Sequence, residues 1–177
     1  MTISFRDPDG RLVLIDDRVL RIVNKTGAAN LNAFLASAVA KQFVAAGQLA
    51  RTYLPDADSV KLLSEYLQHE SGRGEVPEAV FEHERIAFPS FPYEWAPEML
   101  HRAGRLTLDL AESVLNEGFG LKDATPYNVL FRGPEPVFVD LLSFEKRDPR
   151  DPVWKPYAQF ARAFLLPLLA NNTSGWN

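Results

Sequence analysis

Ten of the thirteen prolines lie from Pro89 onward, which restricts the second half of the chain to short elements joined by rigid turns. Proline fixes its own φ, donates no backbone hydrogen bond and drives the preceding residue out of the helical region. The run Phe88-Pro89-Ser90-Phe91-Pro92-Tyr93-Glu94-Trp95 is therefore a connector and not a helix. Pro97 suits a first helical turn. Leu100, Ala103, Leu106, Leu110 and Val114 continue from it as one apolar stripe to about Asn116, and Gly118 and Gly120 end the helix. Beyond it, Val129-Leu130-Phe131 and Val137-Phe138-Val139 read as two short strands around Arg132-Gly133-Pro134-Glu135, and a final helix spans about Tyr157 to Leu169.

The first half is organised differently. A turn at Asp7-Pro8-Asp9-Gly10, the run Leu12–Ile15, a turn at Asp16-Asp17 and the run Val19–Val23 predict a small antiparallel meander within residues 3–23. Asn30 is placed to cap a helix reaching about Ala50, with Leu31, Phe34, Leu35, Ala38, Val39, Phe43 and Ala46 on one stripe. A shorter helix is expected over Ser59–His69, a flexible link at Ser71-Gly72-Arg73-Gly74, and a strand from Val80 to Phe88. Strands and helices are segregated, which is the α+β pattern.

Composition removes several classes of function. A length of 177 residues is enough for a core. A formal net charge of -4 argues against a nucleic-acid binder that works through bulk positive charge. With no cysteine, disulfide scaffolds, Cys-ligated zinc and thiol nucleophiles are excluded. Met1–Asp7 has neither the basic start nor the apolar stretch of a secretion signal. The longest apolar run, Ala163–Ala170, is interrupted by Pro167 and falls short of the roughly 20 residues a membrane span needs. The expectation is a cytoplasmic protein with neither nucleic acid nor membrane as a partner.

Chemistry concentrates in Leu121-Lys122-Asp123-Ala124-Thr125-Pro126-Tyr127-Asn128-Val129-Leu130-Phe131 and Val137-Phe138-Val139-Asp140. An acid, an asparagine five positions on, a hairpin and a second acid after an apolar strand form a specific spacing. It resembles the catalytic loop and metal-binding strand of kinase-like folds, especially the aminoglycoside phosphotransferase type. By that resemblance Asp123 would orient or deprotonate an acceptor hydroxyl, and Asn128 and Asp140 would bind Mg2+ bridging the phosphates of ATP. Lys122 would contact phosphate, although a lone loop lysine is more often simply solvated. The implied fold is a degenerate protein-kinase-like one: residues 1–88 as N-lobe-like strands and helices, 89–95 as a hinge-like connector, and 96–177 as a helical lobe carrying the loop, all in one compact unit. The sequence departs from the pattern at Leu121, where the family has His or Arg, and at Leu142, where it has Gly. No glycine-rich phosphate loop is visible, Arg21 and Lys25 are candidates for the phosphate-pairing lysine position with neither assigned, and the first long helix has no glutamate to pair with either.

A second resemblance spans nearly the whole chain. Glu82-His83-Glu84-Arg85-Ile86, the aromatic connector, the loop from Leu121 to Asn128, and Trp154-x-Pro156-Tyr157-x-Gln159-Phe160 are similar to the N-terminal region of bacterial class I S-adenosylmethionine (SAM)-dependent methyltransferases related to host-specific nodulation proteins. That resemblance implies a leading domain whose SAM site lies in a downstream domain, since no strand–Gly-x-Gly–helix fingerprint occurs here.

Other groups carry blander readings. His83 alternates with Glu82 and Glu84 along a strand, so the three do not share a face and one metal site is not expected. Phe88, Phe91, Tyr93 and Trp95 could stack on a base, but packing of a rigid connector is the simpler use. Three functions follow: a non-methylating domain of a methyltransferase polypeptide that binds a nucleotide or substrate or docks the downstream catalytic domain; an ATP- and Mg2+-dependent small-molecule phosphotransferase; or a purely structural interaction module.

Overall fold

The structure is a computed structural model and describes residues 9–71, 77–148 and 150–174. Its mixture of helices and antiparallel strands is α+β. The chain divides into two compact units, one formed by residues 1–32 and 51–85 and the other by residues 33–50 and 86–177. Residues 33–50 thus group with the second half of the sequence. The expected strand residues before Asp9, and the expected link from Gly72 onward, lie outside the described residues.

In the first unit β1 (Gly10–Ile15) and β2 (Arg18–Val23) form the expected hairpin, turning at Asp16, whose φ is 51°. They continue into a four-stranded antiparallel sheet of order β1-β2-β4-β3, with β3 at Thr52–Tyr53 and β4 at Ala79–His83. β4 is shorter than the expected Val80–Phe88: its pairing with β2 ends at Val19 opposite His83, and Pro89 follows soon after. Leu20 faces Glu82 across the strands and Val19 faces His83, so the two acidic and imidazole side chains occupy opposite faces. Helix α3 (Ala57–Ser71) covers one face, packing Leu63 and Leu67 on Val13 and Leu20. Asp56 caps it by accepting from Ser59 N–H at 2.8 Å. Arg18 reaches Asp56, Ser59 and Glu82, and Ser59 Oγ donates to Glu82 at 2.6 Å, which ties the buried carboxylate to both strand and helix.

The expected helix from Asn30 to Ala50 is instead two. α1 (Lys25–Ala36) begins earlier, because Asn24 rather than Asn30 supplies the cap, its Oδ1 accepting from Gly27 N–H at 2.7 Å. α2 (Ala38–Ala45) restarts after Ser37, which caps it through Ala40 N–H. Glu117 adds a second anchor, accepting from Ala38 and Val39 N–H at 3.0 and 2.8 Å. Two carboxylate oxygens at a helix start satisfy two orphan donors and oppose the positive end of the dipole.

The second unit is built on α4 (Pro97–Leu115), whose buried face is Ala103, Gly104, Leu106, Thr107, Leu110, Ala111 and Val114. β5 (Phe119–Leu121) pairs with β8 (Phe144–Lys146), and β6 (Val129–Arg132) with β7 (Glu135–Phe138). Phe34 stacks on Phe144 at 3.8 Å, and Phe119 and Phe138 meet these rings at 5.7 and 5.4 Å. Leu49, fully buried, forms a parallel bridge with Phe138. The C-terminal helix runs through α5 (Tyr157–Phe160), a wide π turn (Ala161–Leu165) and α6 (Leu166–Ser174). Phe164 seats it on Gly104 of α4, while Tyr157, Leu165, Leu166 and Leu169 are exposed.

Candidate functional site

Lys122, Asp123, Asn128 and Asp140 all belong to the second unit. Gly118, at φ 75°, turns the chain out of α4 into β5 at a conformation that disfavours any residue with a side chain. β5 hands on to Lys122, whose N–H donates to Ser143 O at 2.7 Å and prolongs the β5–β8 pairing. Thr125 is extended, as a residue before proline must be, and its hydroxyl accepts from Tyr127 N–H at the start of a single 3-10 turn, Pro126–Asn128. The β6–β7 hairpin reverses through Gly133, at φ 59°, and Val139 N–H then donates to Asn128 O at 2.8 Å. That bond returns Asp140 to the loop it left twelve residues earlier.

Ser143 joins the cluster together. Asn128 Nδ2 donates to Asp123 Oδ1 at 2.8 Å and to Ser143 Oγ at 3.1 Å. Ser143 Oγ lies 2.6 Å from Asp123 Oδ1 and 2.9 Å from Asp140 Oδ2. A hydroxyl has one hydrogen, so it donates to only one of these carboxylates at a time. Two carboxylates converging on one buried hydroxyl concentrate negative charge, and a cation relieves it. Asn128 and Ser143 are 5% and 2% exposed while Asp123 and Asp140 are half-buried, so the amide and hydroxyl are withheld from water, where polar contacts are stronger. The backbone is fixed from a third element as well: Ala124 N–H donates to Gln159 Oε1 of α5 at 2.7 Å.

The donors suit a hard cation. Asn128 spends its amide hydrogens on Asp123 and Ser143, so Oδ1 is the atom it could offer a metal. Mg2+ takes such a set when phosphates and water complete its octahedron. Among the described residues no group of three or more His, Cys, Asp or Glu side chains is arranged to hold a metal, so an ion here would rely on a bound phosphate for much of its shell. The pairs of named strands are all antiparallel, and the parallel βαβ crevice used by cofactors such as SAM is absent among the described residues.

Spacing alone links Asp123, Asn128 and Asp140, and the structure brings them into one hydrogen-bonded group. It also adds Ser143 and Gln159. Ser143 stands only three positions past Asp140, and Gln159 falls in the Trp154–Phe160 run, but no local pattern assigns either to the loop.

His83, in the first unit, is fully engaged elsewhere. Arg21 Nε donates to its Nε2 at 3.2 Å and Thr52 Oγ1 lies 2.7 Å from its Nδ1, so neither ring nitrogen remains for a metal. Burial, and then the charge of Arg21, push its pKa down to about 3. In the connector, Phe91 stacks on Tyr93 at 5.8 Å and Trp95 meets Phe131 edge-on at 5.0 Å, while Phe88 and Tyr93 stay exposed. No helix among the described residues is long and apolar enough to cross a membrane.

No family model matches the chain. It is 35% identical over 167 residues, 94% of its length, to the nodulation protein NoeA of Rhizobium meliloti (strain 1021). The chain spans about a third of that protein, 32% of its length. It is therefore related to a segment of NoeA.

Proposed function

We propose that this chain is a kinase-like domain of a NoeA-like, methyltransferase-associated polypeptide. In this reading Asn128 and Asp140 bind a nucleotide through Mg2+ with Asp123 hydrogen-bonded to Asn128 beside them, Lys122 contributes positive charge toward the phosphates, and the domain transfers no methyl group itself. SAM would belong to another part of such a polypeptide. The observation that carries the reading is the convergence of Asp123, Asn128 and Asp140 on Ser143 within 2.6–3.1 Å. A polar loop used only for turn-making would need no such meeting of two acids and an amide from opposite ends of a hairpin. Phosphotransfer by Asp123 is the more demanding alternative. It needs a phosphate clamp in addition to the metal ligands, because that chemistry depends on positioning and charge neutralisation.

Thermal unfolding with ATP, in the presence and absence of MgCl2, tests the reading. A ligand that binds only the folded chain must raise the melting temperature, by RT ln(1 + [L]/Kd) in free energy. The expected result is a rise with Mg2+–ATP that Asp140→Asn removes. No rise at millimolar nucleotide, or a rise that persists in Asp140→Asn, rejects the assignment.

A further inference from the structure

The loop carrying Asp123 is held from outside itself. Ala124 is fully buried, and its N–H donates to a side chain 35 residues away, Gln159 Oε1, at 2.7 Å. A buried backbone donor in an irregular loop must find a partner or carry the loop out to water. Gln159 is itself held in place. Its neighbour Phe160 packs on Trp154 at 5.6 Å and stacks on Phe164 at 4.9 Å, and Phe164 is fully buried against Gly104 of α4. Residues five apart on a regular α-helix sit about 140° apart around the axis. The π turn, in which Leu166 N–H reaches back to Ala161 O, narrows that gap. Gln159 can then face the loop while Phe164 seats on α4. Interruptions of this kind recur at functional sites.

We propose that Gln159 is a positioning residue for Asp123: its side-chain carbonyl fixes the Asp123 carboxylate relative to Asn128 and Asp140, so the C-terminal helix sets the cation affinity of the site. The proposal rests on the Mg2+–nucleotide reading above. It does not make Gln159 a ligand. The residue acts through the backbone of Ala124, as outer-shell partners orient metal ligands elsewhere.

The test compares wild type with Gln159→Met, which keeps the length and loses the acceptor, and Gln159→Glu, which keeps an acceptor. One readout is hydrogen exchange at the Ala124 amide without metal or nucleotide. The other is Mn2+ affinity in the presence of ATP, read by electron paramagnetic resonance. The expected result for Gln159→Met is faster exchange at Ala124 and about tenfold weaker Mn2+ binding, with Gln159→Glu close to wild type on both. Unchanged Mn2+ affinity despite faster exchange overturns the proposal and leaves the nucleotide reading standing. Unchanged exchange overturns it at an earlier step. Wild type that takes up no Mn2+–ATP rejects the nucleotide reading and this proposal with it, and that outcome is visible before any variant is made. Should Gln159→Met fail to fold, Gln159→Glu decides: wild-type values on both readouts support the proposal, and weakened binding in the folded variant overturns it.

Discussion

A buried histidine that accepts a hydrogen bond from an arginine cannot take up a proton without losing that bond. His83 is in this position, so Nε2 must stay bare for Arg21 and the ring hydrogen belongs to Nδ1, facing Thr52. Its pKa is 6.5 in an ordinary setting and about 3 here. Between those values the unfolded chain binds more protons than the folded one, so stability is complete above pH 6.5 and is lost as pH falls toward 3. The slope from one such group reaches about 1.4 kcal/mol per pH unit. Urea unfolding at pH 7 and pH 5 should show a loss approaching about 2 kcal/mol, and His83→Gln should flatten it. An equal loss in the variant would assign the acid sensitivity to other groups. Asp56, held below the usual carboxylate range by the Ser59 N–H, contributes in the same direction only at lower pH. None of this could be read from the sequence, where His83 was one polar residue among three on a strand. Its partners Arg21 and Thr52 come from two other strands, and only sheet register brings them together.

Elements whose cause is local were legible. The hairpin at Asp16, the long helix starting at Pro97 and the β6–β7 turn at Gly133 each carry their signal within a few residues. Elements stopped or held by distant partners were not. The stripe from Leu31 to Ala46 reads as one helix, yet Ser37 and the remote Glu117 cap a second one inside it. β3, β5 and β8 are two or three residues long, too short to show alternation. The site divides along the same line: Asp123, Asn128 and Asp140 share a spacing, whereas Ser143 and Gln159 join through folding alone. Gly104 is an element-level contact of this kind. A Cβ there would lie 3.2 Å from Phe164 Cδ1, so one glycine sets how closely the C-terminal helix approaches α4. Helix propensity favours replacing a mid-helix glycine by any residue except proline, but a branched side chain must displace the Phe164 ring. Gly104→Val should cost about 1–3 kcal/mol through overpacking and expose residues 150–174 to limited proteolysis. Wild-type resistance would show that the helix does not depend on this seat.

At the scale of the whole molecule, the chain passes from one unit to the other at 32/33, 50/51 and 85/86. The sequence suggested a cut near residue 88, because the proline-rich connector looks like a boundary. That cut would leave behind Phe34, which stacks on Phe144, and Leu49, which bridges Phe138. Burying a phenylalanine or leucine contributes about 1.5–3 kcal/mol, and a domain retains only about 5–15 kcal/mol in all. A fragment of residues 86–177 should therefore lack fixed tertiary structure, with a near-ultraviolet circular dichroism spectrum close to zero. A native-like spectrum would show that residues 33–50 are dispensable. The interleaving also bears on heredity. Each unit is coded in two segments separated by part of the other, so neither can be duplicated, lost or transplanted as one uninterrupted stretch of the gene.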